Sequence, residues 1–185
     1  MRKLTRRHFV ISGAALPLLA ACNNSINSGG GASIDGRVDA ALNFMTAEVP
    51  GAQELATSAK GMLVMPLITE AGFGFGGSYG RGALRINGVT VDYYSATAGS
   101  FGLQIGAQQY AHTIFFMTDA ALQGFRTSSG WGVGGDVRYA VSDRGGMIGI
   151  DTTTLTDPVI AIVYGQAGLI VGATLEGMRY TRILP

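Results

Sequence analysis

Two arginines four residues apart, Arg81 and Arg85, are the side chains in this 185-residue sequence best placed to hold an anion. The stretch around them alternates with period two, which puts both on one strand face together with Tyr79. At ~3.3 Å per residue they stand about 13 Å apart. Two guanidinium groups beside glycine-rich backbone can hold phosphate bidentately. Arg81, Arg85 and Tyr79 are therefore the candidate site for an anionic lipid headgroup, against the plainer reading of a solvated strand face. Catalytic patterns do not emerge. His112 is the single histidine beyond the amino-terminal region and adjoins an apolar strand, where a structural role is expected. No nucleophile elbow is expected, because the single GxSxG match, Gly76-Gly77-Ser78-Tyr79-Gly80, falls within a strand alternation, and Lys60 has no serine three residues before it. The acids are scattered without a metal-loop pattern. GxGxxG occurs at Gly72/Gly74/Gly77 and at Gly130/Gly132/Gly135. A dinucleotide site needs a helix after those glycines, and both following segments alternate as strands. The expectation is a protein with no catalytic residue, no metal and no cofactor. Carboxylates paired only by folding stay invisible to spacing.

These side chains must be positioned by strands. Residues 61–118 are built around Gly72-Phe73-Gly74-Phe75-Gly76-Gly77-Ser78-Tyr79-Gly80. A row of glycines on one strand face suggests close approach by another backbone or a ligand. Asn87-Gly88 between alternating runs predicts a hairpin. Residues 62–67 predict a short strand, with Pro66 marking an edge or a bend. Before them, apolar residues at helical spacing (Ile34, Val38, Ala41, Leu42, Met45, Val49) predict a helix over 34–49. Its acidic polar face favours packing on a core over lying on a membrane. Residues 52–60 predict a second helix capped by Gly61. Further on, the pattern gives a strand at 113–117, a helix capped by Asp119 and running to Phe125, and strands at 130–140 and 147–150. Trp131 is expected in the core or an interface. Ser142-Asp143-Arg144-Gly145-Gly146 joins those two strands, and residues 151–154 form a turn. Residues 158–175 are apolar enough to raise a membrane span. Glycines and β-branched residues favour a buried hairpin, with strands 159–164 and 169–175 around Gly165-Gln166-Ala167-Gly168. The fold class is α+β: a curved antiparallel sheet or partial barrel with N-terminal helices packed on it.

Only 14% of the residues are charged and 47% are hydrophobic, so part of the surface is expected to be greasy. Four of the thirteen basic residues precede Cys22, and all twelve acids follow it, which leaves a net charge of −3 on the remaining side chains. An acidic body argues against nucleic acid as a partner. The lone cysteine excludes an internal disulfide. Residues 1–21 read as an export signal, with a basic start and a short apolar run. Thr5-Arg6-Arg7-His8-Phe9-Val10 resembles the twin-arginine motif, and Leu19-Ala20-Ala21-Cys22 resembles the bacterial lipobox. That box implies cleavage before Cys22, a thioether-linked diacylglycerol on its sulfur, and acylation of the new amino terminus with palmitate-type chains. Residues 22–33 then comprise the lipidated cysteine and a flexible, low-complexity tether. Residues 34–185 form the domain. Asn23 favours outer-membrane sorting on the periplasmic side.

The domain resembles the SYLF family, found in yeast actin-patch regulators, in membrane-trafficking proteins and in bacterial lipoproteins. The matching blocks are Gly61-Met62-Leu63-Val64-Met65-Pro66, Ala71-Gly72-Phe73-Gly74-Phe75-Gly76-Gly77, Ser100-Phe101-Gly102-Leu103-Gln104-Ile105-Gly106, Gly165-Gln166-Ala167-Gly168-Leu169 and Leu175-Glu176-Gly177. The resemblance spans residues 35–184. It implies a lipid-binding module, with phosphoinositide binding and actin regulation in eukaryotic relatives, and no known enzyme. The expected protein is a lipoprotein of the bacterial cell envelope whose domain binds membrane lipid. The alternative is a non-enzymatic scaffold whose anchor serves only for placement.

Overall fold

The computed structural model describes residues 29–133, 138–141, 157–168, 175 and 177–185. The export signal with Arg6 and Arg7, Cys22, the tether before residue 29, the strand expected at 147–150, its connection and the turn at 151–154 all lie outside them.

Helix α1 spans Gly30–Glu48 and α2 spans Ala52–Ser58. Strand β1 follows as Gly61–Ile86, and β2 returns as Val89–Phe116. After helix α3 (Asp119–Thr127) come β3 (Trp131–Gly132), β4 (Arg138–Val141), β5 (Val159–Gly168) and β6 (Arg179–Ile183). Among the described residues the strands form one six-stranded curled sheet, and the architecture is α+β as expected.

The organising unit is the long β1–β2 hairpin. Asn87 and Gly88 both take positive φ, 51° and 76°, as the two-residue turn requires. The first half of β2 pairs with β6, which carries β3, and its second half pairs with β5, which carries β4. Strand β1 pairs with β2 over the whole length. One hairpin thus carries both halves of the sheet, and its glycine-rich middle around Gly72 and Gly106 lies between them. The main core lies in the concavity, with Leu63, Met65, Ile68, Leu84, Tyr110, Ile114, Phe116, Val163 and Tyr180 among its buried members. On the outer face, Met45, Ala52 and Leu55 of the helices and Val49 between them cover Ala111, Phe115, Ile160 and Ile162. Ile34 and Val38 of α1 cover Val64 and Ala83.

Curling brings β1 against itself. A Cβ on Gly82 would collide with the Val64 carbonyl oxygen and lie 2.6 Å from the Met65 sulfur. One on Gly80 would collide with the Leu67 carbonyl oxygen. The expected backbone approach therefore falls at Gly80 and Gly82.

Several boundaries differ from the sequence reading. Helix α1 starts at Gly30, so residues 30–33 belong to it rather than to the tether. Gly-Gly-Ala-Ser carries no apolar periodicity, but the helix continues through it, and the Ser33 amide bonds the Gly29 carbonyl at 3.1 Å. Gly61 opens β1 instead of capping α2, whose C-cap is Ala59. Thr118, not Asp119, caps α3 by accepting a hydrogen bond from the Ala121 amide. The stretch expected as one strand at 130–140 serves two places: β3 pairs with β6, whereas β4 runs parallel to β5. Residues 165–168 do not turn. They continue β5, opposite Gln108 and Gln109, past a bulge at Gly165 with φ 64°.

Gly82→Ala should destabilise the protein by about 1–3 kcal/mol, the usual range for overpacking. Gly36, inside α1, has nothing within 4 Å of an added Cβ, so Gly36→Ala should add about 0.5–1 kcal/mol. Urea unfolding of both variants checks this, and equal midpoints would contradict the self-packing of β1.

Candidate functional site

Tyr79, Arg81, Ala83 and Arg85 share the outer face of β1, as the alternation requires. Their surroundings differ. The Arg85 side chain is only 11% exposed. Its guanidinium donates to Asp39 at 2.5 Å and to the Gly88 carbonyl at 3.2 Å, and Asp35 lies 3.7 Å away. Asp35 also accepts from the Thr90 hydroxyl at 2.7 Å and the Tyr93 hydroxyl at 2.8 Å. Desolvation and then the Asp35 bond push the Tyr93 hydroxyl pKa up. This cluster ties α1 to the hairpin, so Arg85 acts as a fastener in this structure. Arg81 is half-buried, and among the described residues it has no hydrogen bond or ion pair. Tyr79 is 54% exposed. These two remain open to a ligand.

An apolar cleft of about 410 Å³ lies between α1 and the strands. Arg37, Ala40, Ala41 and Phe44 of α1 form one wall. Pro66 and Leu67 of β1, Tyr110 and Ala111 of β2, and Tyr164 and Gly165 of β5 form the rest. Strand irregularities make it. Met65 pairs with His112 and Ile68 with Tyr110, so Pro66 and Leu67 bulge opposite Ala111. Ala111 pairs with Tyr164 and Gln109 with Ala167, so β5 bulges there too. Ala111 thus forms a floor between two outward bends. Phe44 stacks on Tyr164 with ring centroids 6.2 Å apart, yet stays 48% exposed. Tyr164 is held from below by a 3.0 Å hydrogen bond with Thr113, and burial pushes its pKa up to about 12. Gly80 packs on the backbone of Leu67, a residue of the cleft wall, whereas Tyr79 and Arg81 are not among the lining residues. The sequence reading missed this cleft. Its signals were Pro66 and Gly165, each a strand-disrupting residue inside an apolar run.

The arrangement has no visible proton-transfer chemistry. His112 is fully buried and shares a 2.7 Å hydrogen bond with the Tyr180 hydroxyl. Desolvation pushes its pKa down to about 3, so it stays neutral and unreachable. Trp131 packs edge-on against Phe116 and Phe125 at the core margin. The glycines at 72–77 lie within β1, with no helix after them, which excludes a dinucleotide cradle there. Asp136 lies outside the described residues. Among the described residues no group of three or more His, Cys, Asp and Glu is placed to hold a metal, and no helix is long and apolar enough to cross a membrane.

Residues 97–182 match the family model described as Ysc84, Las17-binding protein actin regulator. The match runs from the middle of β2 into β6 and includes the cleft's Tyr110, Ala111, Tyr164 and Gly165. No curated protein matches the chain.

The division of labour between the two arginines is measurable. Arg85→Ala leaves two acids facing an unfilled site and should lower stability by about 1–3 kcal/mol. Arg81→Ala should stay within about 0.5 kcal/mol of the native protein. Thermal or urea unfolding that ranks them the other way would overturn the assignment.

Proposed function

From a chain that carries a SYLF domain of the Ysc84 family, we propose a lipoprotein of the bacterial cell envelope that binds anionic lipid through this domain. The family is known for lipid binding and actin regulation. The observation that carries the reading on this chain is Arg81, which has no partner among the described residues and shares its strand face with exposed Tyr79. A net-acidic body does not attract an anionic surface by bulk charge, so a local cation must do so. Arg6-Arg7 would direct twin-arginine export, Cys22 would carry the acyl anchor, and Asn23 would send the protein to the outer membrane, facing the periplasm. The actin role of eukaryotic relatives does not fit that compartment. The second reading, an envelope scaffold, draws on the same anchor and needs no lipid site.

Mass spectrometry of the mature amino terminus should show a diacylglyceryl group on Cys22. An unmodified amino terminus downstream of Cys22 removes the anchor from the reading.

The chain beginning at residue 22, with Cys22→Ser so that no acyl group is attached, should sediment with phosphatidylglycerol vesicles at low salt. Moderate salt should weaken that binding by screening. Arg81→Ala should weaken it about fivefold, the equivalent of ~1 kcal/mol for one basic residue near an anionic surface. Absence of vesicle binding at low salt hands the function to the scaffold reading.

A further inference from the structure

We propose that the cleft between α1 and the bulged strands holds a single acyl chain of an anionic lipid, with Arg81 and Arg37 at its mouth around the head. This deepens the lipid-binding reading above and rests on it.

Size and chemistry both fit a chain rather than a flat membrane contact. The cleft's volume of about 410 Å³ lies in the range of small-molecule sites, roughly 300–1,000 Å³. Its side chains are apolar apart from the Tyr110 and Tyr164 hydroxyls and Arg37. Tyr164's hydroxyl is spent on Thr113 beneath the floor, and Tyr110's side chain is buried in the main core. The lining therefore offers a guest hydrocarbon and one cation. Phe44 and Leu67 stay 48% and 39% exposed, and covering them with a hydrocarbon removes that apolar surface from water.

Charge sets the orientation. Arg37 bonds the Ser33 hydroxyl at 3.0 Å and the Ser33 carbonyl at 3.3 Å, which directs its guanidinium toward the start of α1. Arg81 follows Gly80, whose backbone packs on Leu67 of the cleft wall, and its long side chain is the second cation available to the head. A chain lying along α1 toward Phe44 would keep its anionic head at the Arg37 end. From Arg37 to Phe44 the helix advances roughly 10 Å at 1.5 Å per residue, so only part of a long chain is covered. A bare phosphate would use the arginines alone and leave the cleft empty. An apolar protein segment would use the cleft without needing the arginines.

The probes are alkyl phosphates of four to twelve carbons, kept below their micelle concentrations. They are titrated calorimetrically into the chain from residue 22 with Cys22→Ser. Affinity should rise about fourfold per added methylene and level off once the two-turn length is filled. Leu67→Asp and Ala40→Trp, both at exposed positions, should weaken decyl phosphate at least about tenfold and flatten the rise of affinity with chain length. Arg81→Ala should weaken every chain length about fivefold. Thermal melts confirm that each variant is folded. Equal affinity for butyl and decyl phosphate overturns the proposal. So does native decyl phosphate binding by the two folded cleft variants, or no saturable uptake at all. Loss of vesicle binding with this chain-length series intact removes only the envelope reading.

Discussion

Contact between β1 and its own backbone is the constraint on which the rest depends. The edge of β1 near Val64 and Leu67 lies directly on Gly82 and Gly80. Any side chain there would hold the two halves of the strand apart and flatten the hairpin. A flat hairpin of this length would be two long ribbons with an exposed edge, a template for aggregation. Folded back, the edge near residues 64–67 is shielded by the molecule's own chain, and the concavity fills with Leu63, Met65, Ile68 and Leu84. Helix α1 lies over this meeting of the two halves, with Ile34 and Val38 on Val64 and Ala83. The helix therefore has a docking surface only after β1 has curled.

Charge is used sparingly and mostly to fasten. Asp35 and Asp39 of α1 grip Arg85 of β1, and Asp92 of β2 holds both Arg126 of α3 and Arg182 of β6. Exposed ion pairs contribute little to stability. These gain from carboxylates and guanidinium groups that are partly withdrawn from water, such as Asp92 at 15% exposure. Each joins segments far apart in sequence, so they select the register of α1, α3 and β6 on the sheet. Arg81, by contrast with Arg85 on the same strand face, fastens nothing among the described residues.

Legibility followed the range of the interaction. Asn87-Gly88 specified its turn because φ preference is local. The core face of α1 was legible for the same reason, since Ile34, Val38 and Met45 repeat at helical spacing. The placement of Tyr79, Arg81 and Arg85 on one face followed from period two. What period two cannot report is the neighbour across that face. Arg85 meets Asp39, forty-six residues away, and nothing near either residue announces the other. The split of residues 130–141 between two strand partners was hidden likewise, because β4 pairs parallel to a strand that follows it by some twenty residues. Glycines signalled close approach correctly but not where. Gly72 to Gly77 and Gly80 to Gly82 look alike in sequence, and only curvature assigns the first group to the stretch between the sheet's two halves and the second to the contact.

The cleft follows from the same curvature. A sheet bent this far cannot keep every ladder bond in register, and the mismatch is released at bulges. Two of them, at Pro66-Leu67 and at Gly165, flank Ala111 from opposite sides. Each bends its strand away from a residue too small to fill the space. The helix closes the third side, and its position is set by the Asp35, Asp39 and Arg85 cluster on the same stretch of α1. The width of the cleft is thus fixed by the electrostatic fastening of α1 at one end and by strand strain at the other. Arg85 shapes the site without touching what lies in it, which is why two arginines on one strand face can serve one site in different ways.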